Sequence, residues 1–203
     1  CHFLVGSCHY PGTPFDREFA HRAFEGMGRL LARPSFLCDA LFMIGDQIYA
    51  DATAGLLDPV AWRDRYLLRY REAFDAKAVQ QVLQSLPVHF AVDDHEFADN
   101  YAGIEATRPS GPHRPRDEDW RTQAIRGGRL GPEEFAFALG AARSYMSSAR
   151  EAVPVGDGPV GPTGLWYALD EGELGCPAFV LDTRSERRRA EPGVAARLMR
   201  PEQ

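Results

Sequence analysis

A chain of 203 residues, 44% of them hydrophobic, suits one domain with a real core, since folding at this size removes roughly 70% of the chain's accessible surface from water. A net charge of −6, with RSERRR (184–189) as the only basic cluster, argues against nucleic-acid binding and leaves that cluster as a solvated segment. No apolar stretch approaches the ~18 residues of a membrane helix, and Cys1, Cys8, Cys38 and Cys176 show no CxxC spacing, so neither a disulfide scaffold nor a zinc finger is expected.

The first apolar run, residues 3–5, ends in GSCHYPGTP and reads as a strand followed by a loop. Asp16 suits a helix N-cap, and Phe19, Ala23, Phe24, Met27, Leu30 and Leu31 follow at helical spacing until Pro34. The second run, 40–44 (ALFMI), stops at Gly45-Asp46. Its consecutive apolar positions predict a strand covered on both faces, as in a parallel sheet with helices on either side. Asp58-Pro59 predicts a helix start, with Val60, Leu67, Tyr70 and Phe74 as its buried stripe, and a second helix follows around 76–85 on Val79, Val82 and Leu83. The third run, 88–92 (VHFAV), stops at Asp93-Asp94. Residues 97–131, rich in Pro, Gly and charge, predict a long active-site or mobile loop. Pro132 opens another helix with Phe135, Leu139 and Tyr145 toward the core, and 165–169 and 178–181 predict a hairpin across DEGELG. Cys38 reads as a small buried residue. The expected fold is α/β, one domain over 1–203, without repeats. Residue 1 is a Cys, so the N-terminus is expected to be truncated, and neither compartment nor oligomeric state is legible.

Each of the three early strands ends in side chains that bind metals, and in open α/β sheets ligands bind beyond the carboxyl ends of the strands. Cys8 offers a soft thiolate, with two rival readings: a buried structural Cys, or a nucleophile with His9 or His95 as base. Asp46 has two oxygens and can bridge two cations held roughly 3.5–4 Å apart. Tyr49, three residues on, offers a phenolate suited to ferric iron, against the plainer reading of a packed Tyr after a turn. Asp51 reads as a cap or a supporting group rather than a ligand. Asp93, Asp94, His95 and Glu96 are costly to collect unless something pairs them. An acidic helix start accounts for Asp93 or Glu96 but not for His95. His95 is placed to donate a proton to a leaving oxygen or to hold a phosphoryl oxygen, and Glu96 to orient His95 or a neighbour.

GDQIY followed by DDHE resembles the metallophosphoesterases, and specifically the PhoD-like alkaline phosphatases. Asp46 and Tyr49 fit the GDxxY form shared with purple acid phosphatases; Asp94 falls where GNHE has its metal-binding Asn, and His95 on the catalytic His. GSC after the first strand, DDHE with Asn100 a few residues on, and LDTR at 181–184 are further similarities. The resemblance spans roughly 2–190. It implies metallophosphoesterase sheet layers with flanking helices, hydrolysing a phosphate monoester or diester with ferric iron and calcium, other divalent metals being possible. Cys8 and Tyr49 would favour iron, Asp94 and Asn100 calcium, with Asp46 between, and His95 catalytic. Arg184 would hold a phosphate oxygen, or else pair with Asp182 or Glu186. The family's later Gly-Asp-x-His type motif does not follow Asp182, so the expectation is a chain lacking the C-terminal part of the fold. Two other classes stay open: a non-catalytic α/β module with an incomplete metal site, and a Cys8-dependent hydrolase.

Overall fold

The computed structural model describes residues 1–10, 12, 19–51, 62–104, 130–146, 165–169, 175, 177–187 and 195–199. Three parallel strands, β1 (Phe3–Gly6), β2 (Ala40–Ile44) and β3 (Val88–Ala91), form one sheet in that order, with Leu4 opposite Leu41 and Leu41 opposite Val88. Parallel neighbours need a crossover. Helix α1 (Arg22–Leu31) lies between β1 and β2; α2 (Trp62–Phe74) and α3 (Lys77–Leu83) lie between β2 and β3. Helix α4 (Pro132–Met146) and an antiparallel pair, β4 (Tyr167–Leu169) with β5 (Ala178–Val180), follow.

The alternation of strand side chains divides the core in two. Leu41, Met43 and Phe90 enter the larger cluster with Phe24 of α1, Tyr66, Tyr70 and Ala73 of α2, Val79 and Val82 of α3, and the buried Ala138, Ala141, Ala142 and Met146 of α4. On the opposite face, Ala40, Phe42 and Ala91 pack against Leu169, Val180, Tyr167 and Ala178 of the β4–β5 pair. The Tyr167 hydroxyl ties that pair to β3, accepting from Phe90 N (3.1 Å) and donating to Phe90 O (3.2 Å).

Several expectations change. The second face is covered only in part: Phe3, Val5 and Ile44 are 55%, 56% and 55% exposed, while the short β4–β5 pair packs on Ala40 and Phe42 of β2 and Ala91 of β3. The first helix begins at Arg22 and leaves Phe19 outside it; Asp16 and Asp58-Pro59 lie outside the described residues. In α2 Tyr70 is buried as expected, but Tyr66 and Ala73 join it while Leu67 is exposed. In α4 the fully buried contacts are small, and alanine lets the helix approach closely. Phe135, Leu139 and Tyr145 flank them, half-buried, with Tyr145 stacked on Tyr70 at 5.0 Å. Cys38 is half-buried rather than buried, its thiol donating to Ala40 O at 3.3 Å. The two ends of the expected long loop meet in a bridge between Ile104 and Leu130; residues 105–129 and most of DEGELG lie outside the described residues.

Candidate metal centre

The exits of β1, β2 and β3 are laced together by their backbones. Cys8 N donates to Gly45 O (3.1 Å), His9 N to Asp46 O (2.7 Å), and Ala50 N to His95 O (3.1 Å). The β2 exit turns at Gly45, whose φ of +117° and close approach to Asp93 leave no space for a side chain. Three non-glycine residues among those described adopt left-handed φ: Cys8 (57°), Asp46 (54°) and Asn100 (54°). Such conformations cost of order 1–3 kcal/mol each and gather at functional sites. All three are residues that the sequence nominates as ligands.

Their side chains converge. The Cys8 thiol donates to Asp46 Oδ2 at 3.3 Å, and Asp46 Oδ1 accepts from His95 N at 3.3 Å. Asp46, Asp94 and His95 each present a ligand atom within 4.8 Å of the others; Asp51, His95 and Asp99 form a second such group around the same imidazole. The Tyr49 ring lies 4.2 Å from that of His95. Asn100 enters differently: its backbone N–H donates to Asp94 Oδ2 (2.6 Å), while its side-chain amide donates to Asp99 (3.0 Å).

Burial and crowding set the ionisation of the cluster. Burial raises the Asp46 carboxyl above its ordinary range, and the nearby Asp93 and Asp94 add to that, against relief from Cys8 and His95. Burial likewise pushes the Tyr49 hydroxyl up, with the Cys8 and Asp46 charges beside it. Both groups resist ionisation chiefly because they are buried beside other acidic groups, and a bound cation would oppose that. Burial opposes charge on His95 too, but the hydrogen bond and charge of Asp51, with Asp46 and Asp94, outweigh it and raise the imidazole to about 9. The Asp51 contact is 2.8 Å, Oδ1 to Nδ1, so the metal-free protein favours the imidazolium form of His95. Carboxylates, a thiol, a phenol and an imidazole on one strained frame fit a cation centre of mixed hardness.

Of the two tasks expected of it, Glu96 takes the second, orienting neighbours of His95. It is fully buried and makes no described hydrogen bond to the His95 ring; it accepts from the backbone N–H groups of Asp46 (3.1 Å), Gln47 (2.5 Å) and Asp93 (2.8 Å), pinning the β2 exit to the β3 exit. Burial lifts its carboxyl to about 7 despite those donors. Glu96→Gln would set an amide NH₂ against a backbone N–H. It is expected to cost ~2–3 kcal/mol, lowering Tm by about 4–12 °C in thermal unfolding; an unchanged Tm would refute this role.

Arg184 reaches the centre but not through the partners anticipated for it. Its Nε donates to Asp93 Oδ1 and its Nη2 lies 3.5 Å from Asp94 Oδ1, whereas Asp182 accepts from the backbone N–H of Arg184 and from the backbone N–H and hydroxyl of Ser185. The structure therefore brings Cys8, Asp46, Tyr49, Asp94, His95 and Arg184 together, with Asn100 joined through its backbone. Sequence reasoning did not foresee the pairing of Asp51 with His95 or of Asp93 with Arg184. It also missed Gln47, which is 1% exposed beside Asp46 with neither atom of its side-chain amide hydrogen-bonded. The Cys8 thiol pairs with Asp46 and Ser7, and among the described hydrogen bonds with no histidine. The buried His9 instead sets its Nε2 3.0 Å from His21 Nδ1, and burial and that neighbour pull it down to about 4.

A parallel α/β sheet carrying a cation-suited cluster beyond its strand ends is the class of molecule that these features define. The chain belongs to the PhoD-like phosphatase family, whose model matches residues 3–200. It is similar in fold to a solved structure titled "Structure of PhoD", at a TM-score of 0.53 and 20% identity, over 91% of this chain and 31% of that one. The chain thus spans about a third of the length of that protein. No curated protein sequence matches it. No described helix is long and apolar enough to cross a membrane.

Proposed function

We propose that the protein is a metal-dependent phosphoesterase whose centre is built by Cys8, Asp46, Tyr49, Asp94, Asn100 and His95. The observation that carries this reading is that two of the left-handed residues, Cys8 and Asp46, stand at converging strand ends and the third, Asn100, is bound through its backbone to Asp94. Family membership supports the choice of a phosphate ester as substrate. Cys8 and Tyr49 supply the soft and phenolic donors that suit ferric iron, Asp94 and Asn100 the oxygens that suit calcium, and Asp46 lies between them. When bound, such cations neutralise phosphate oxygens and acidify a water toward a pKa of ~7.

The chain's own residues do the rest. His95, charged and held by Asp51, gives its proton to the leaving oxygen. Arg184, beside Asp94, offers its guanidinium to a phosphoryl oxygen. Glu96 fixes the backbone that carries Asp46 and Asp93, so that donors and acid keep their spacing.

Elemental analysis with a phosphate-ester assay tests the reading. Chelation should abolish hydrolysis and added metal should restore it; protein that binds no metal and cleaves no ester would overturn it. Asp51→Asn separates the acid from the ligands. It is expected to lower kcat about 10- to 100-fold with metal content retained, and a kcat equal to that of the parent would remove Asp51 from the mechanism.

A further inference from the structure

A cavity of about 340 Å³ opens beside the centre, between the exit loop of β1 and helix α1. That volume falls at the small end of ligand pockets. Its inner wall is apolar: Phe24 and Met27, one turn apart on α1, and Met43 on β2. Cys8, Tyr10 and the exposed Ala23 form its mouth. Gly6 keeps the floor clear, since a Cβ there would lie 3.0 Å from the Met43 sulfur. The buried imidazole in the wall, His9, is already engaged with His21 and turns an edge-on ring contact of 4.7 Å to Phe24.

Two features join this cavity to the centre. Cys8 belongs to both, its sulfur 3.3 Å from the Asp46 carboxylate. A line of rings also runs out from the acid: His95 to Tyr49 at 4.2 Å, then Tyr49 to Tyr10 at 5.3 Å, with Tyr10 at the mouth. We infer that the cavity receives the alcohol portion of the substrate, and that the preferred ester is one of a bulky apolar alcohol, aromatic above all. The inference rests on the phosphoesterase reading. A phosphoryl group met by the Arg184 guanidinium, beside Asp94, would set its leaving oxygen near His95, and the alcohol beyond that oxygen would follow Tyr49 and Tyr10 into the cavity. A polyol entering there would exchange water for Phe24, Met27 and Met43, which return no hydrogen bond. An aromatic alcohol sheds apolar surface from water and meets rings edge-on.

The test compares 1-naphthyl phosphate with glycerol 3-phosphate in the parent protein and in Ala23→Phe. Ala23 is exposed on α1, so a ring there narrows the mouth without entering the core. The ratio of kcat/KM, naphthyl over glycerol, is expected to fall by about tenfold or more; an unchanged ratio overturns the proposal. A second measurement is independent of turnover. The chain has four methionines, and with their methyl groups labelled, 1-naphthol should shift the resonances of Met27 and Met43 and leave Met146, packed on Tyr70 in the core, unmoved. Absence of shifts at Met27 and Met43 overturns the cavity assignment even if esters are cleaved. Shifts at both with no ester hydrolysed uphold the cavity as an apolar site and remove the phosphoesterase reading instead.

Discussion

Asp46→Asn is expected to strip the metal and reduce kcat by roughly 10³-fold, the rate equivalent of losing several kcal/mol of charge stabilisation. Asp46 is the hub: one oxygen faces the Cys8 thiol and the other the His95 backbone N–H, both at 3.3 Å. An amide oxygen keeps the second contact, but the neutral group no longer neutralises a cation. The metal-free protein should not suffer. Burial together with Asp93 and Asp94 already disfavours the ionised Asp46, so a neutral Asn relieves repulsion and Tm should hold or rise. Elemental analysis, a kinetic assay and a melting curve decide the matter together. Full metal content with full turnover would end the assignment of Asp46; lost metal with a much lower Tm would mean that Asn misfolds the turn.

Gly45→Ala should damage the fold itself. The added Cβ would lie 2.5 Å from Asp93 Cβ and 3.1 Å from Asp93 N, at a φ of +117° that side chains rarely adopt. Neither atom belongs to a flexible tip, so one strand exit must move away from the other. Strain of order 1–3 kcal/mol for the dihedral alone, with the clash added, predicts a loss of about 3 kcal/mol or more, or roughly 6–12 °C in Tm. Because Asp46 and Asp94 ride on the two exits being forced apart, metal affinity should fall with stability. A variant with parental Tm and metal content would show that the exits do not approach this closely.

The early part of the fold was legible because its signals are local. Short apolar runs cut off by GSC, GD and DD mark β1, β2 and β3 and also point to where ligands gather, so Cys8, Asp46, Tyr49, Asp94 and His95 could be nominated from strand endings alone. What stayed hidden depends on distance or on backbone groups. Asp51 meets His95 across 44 residues, and Arg184 meets Asp93 across 91. Glu96 binds three peptide N–H groups, and such partners leave no trace in a side-chain pattern. The apolar run of β2 implied cover on both faces, yet burial of the second face is set by how far β4 and β5 extend, which no property of residues 40–44 encodes. In α2, Tyr66 displaced Leu67 from the core because its hydroxyl reaches both Phe97 O and Glu134, each at 3.2 Å, so a phenol can be buried there without an orphaned polar atom.

The lacing of the three exits bears on selectivity. Cys8 N to Gly45 O, His9 N to Asp46 O, Ala50 N to His95 O and the three N–H groups held by Glu96 are all made by the protein with itself. Ordering of these loops therefore belongs to folding, and on the proposed function an arriving ion would meet a preorganised frame rather than one that it must assemble. A frame tied in this way cannot relax around an ion of the wrong radius. Discrimination between cations would then come from misfit, felt as lost donor distances, more than from the intrinsic strength of any one donor.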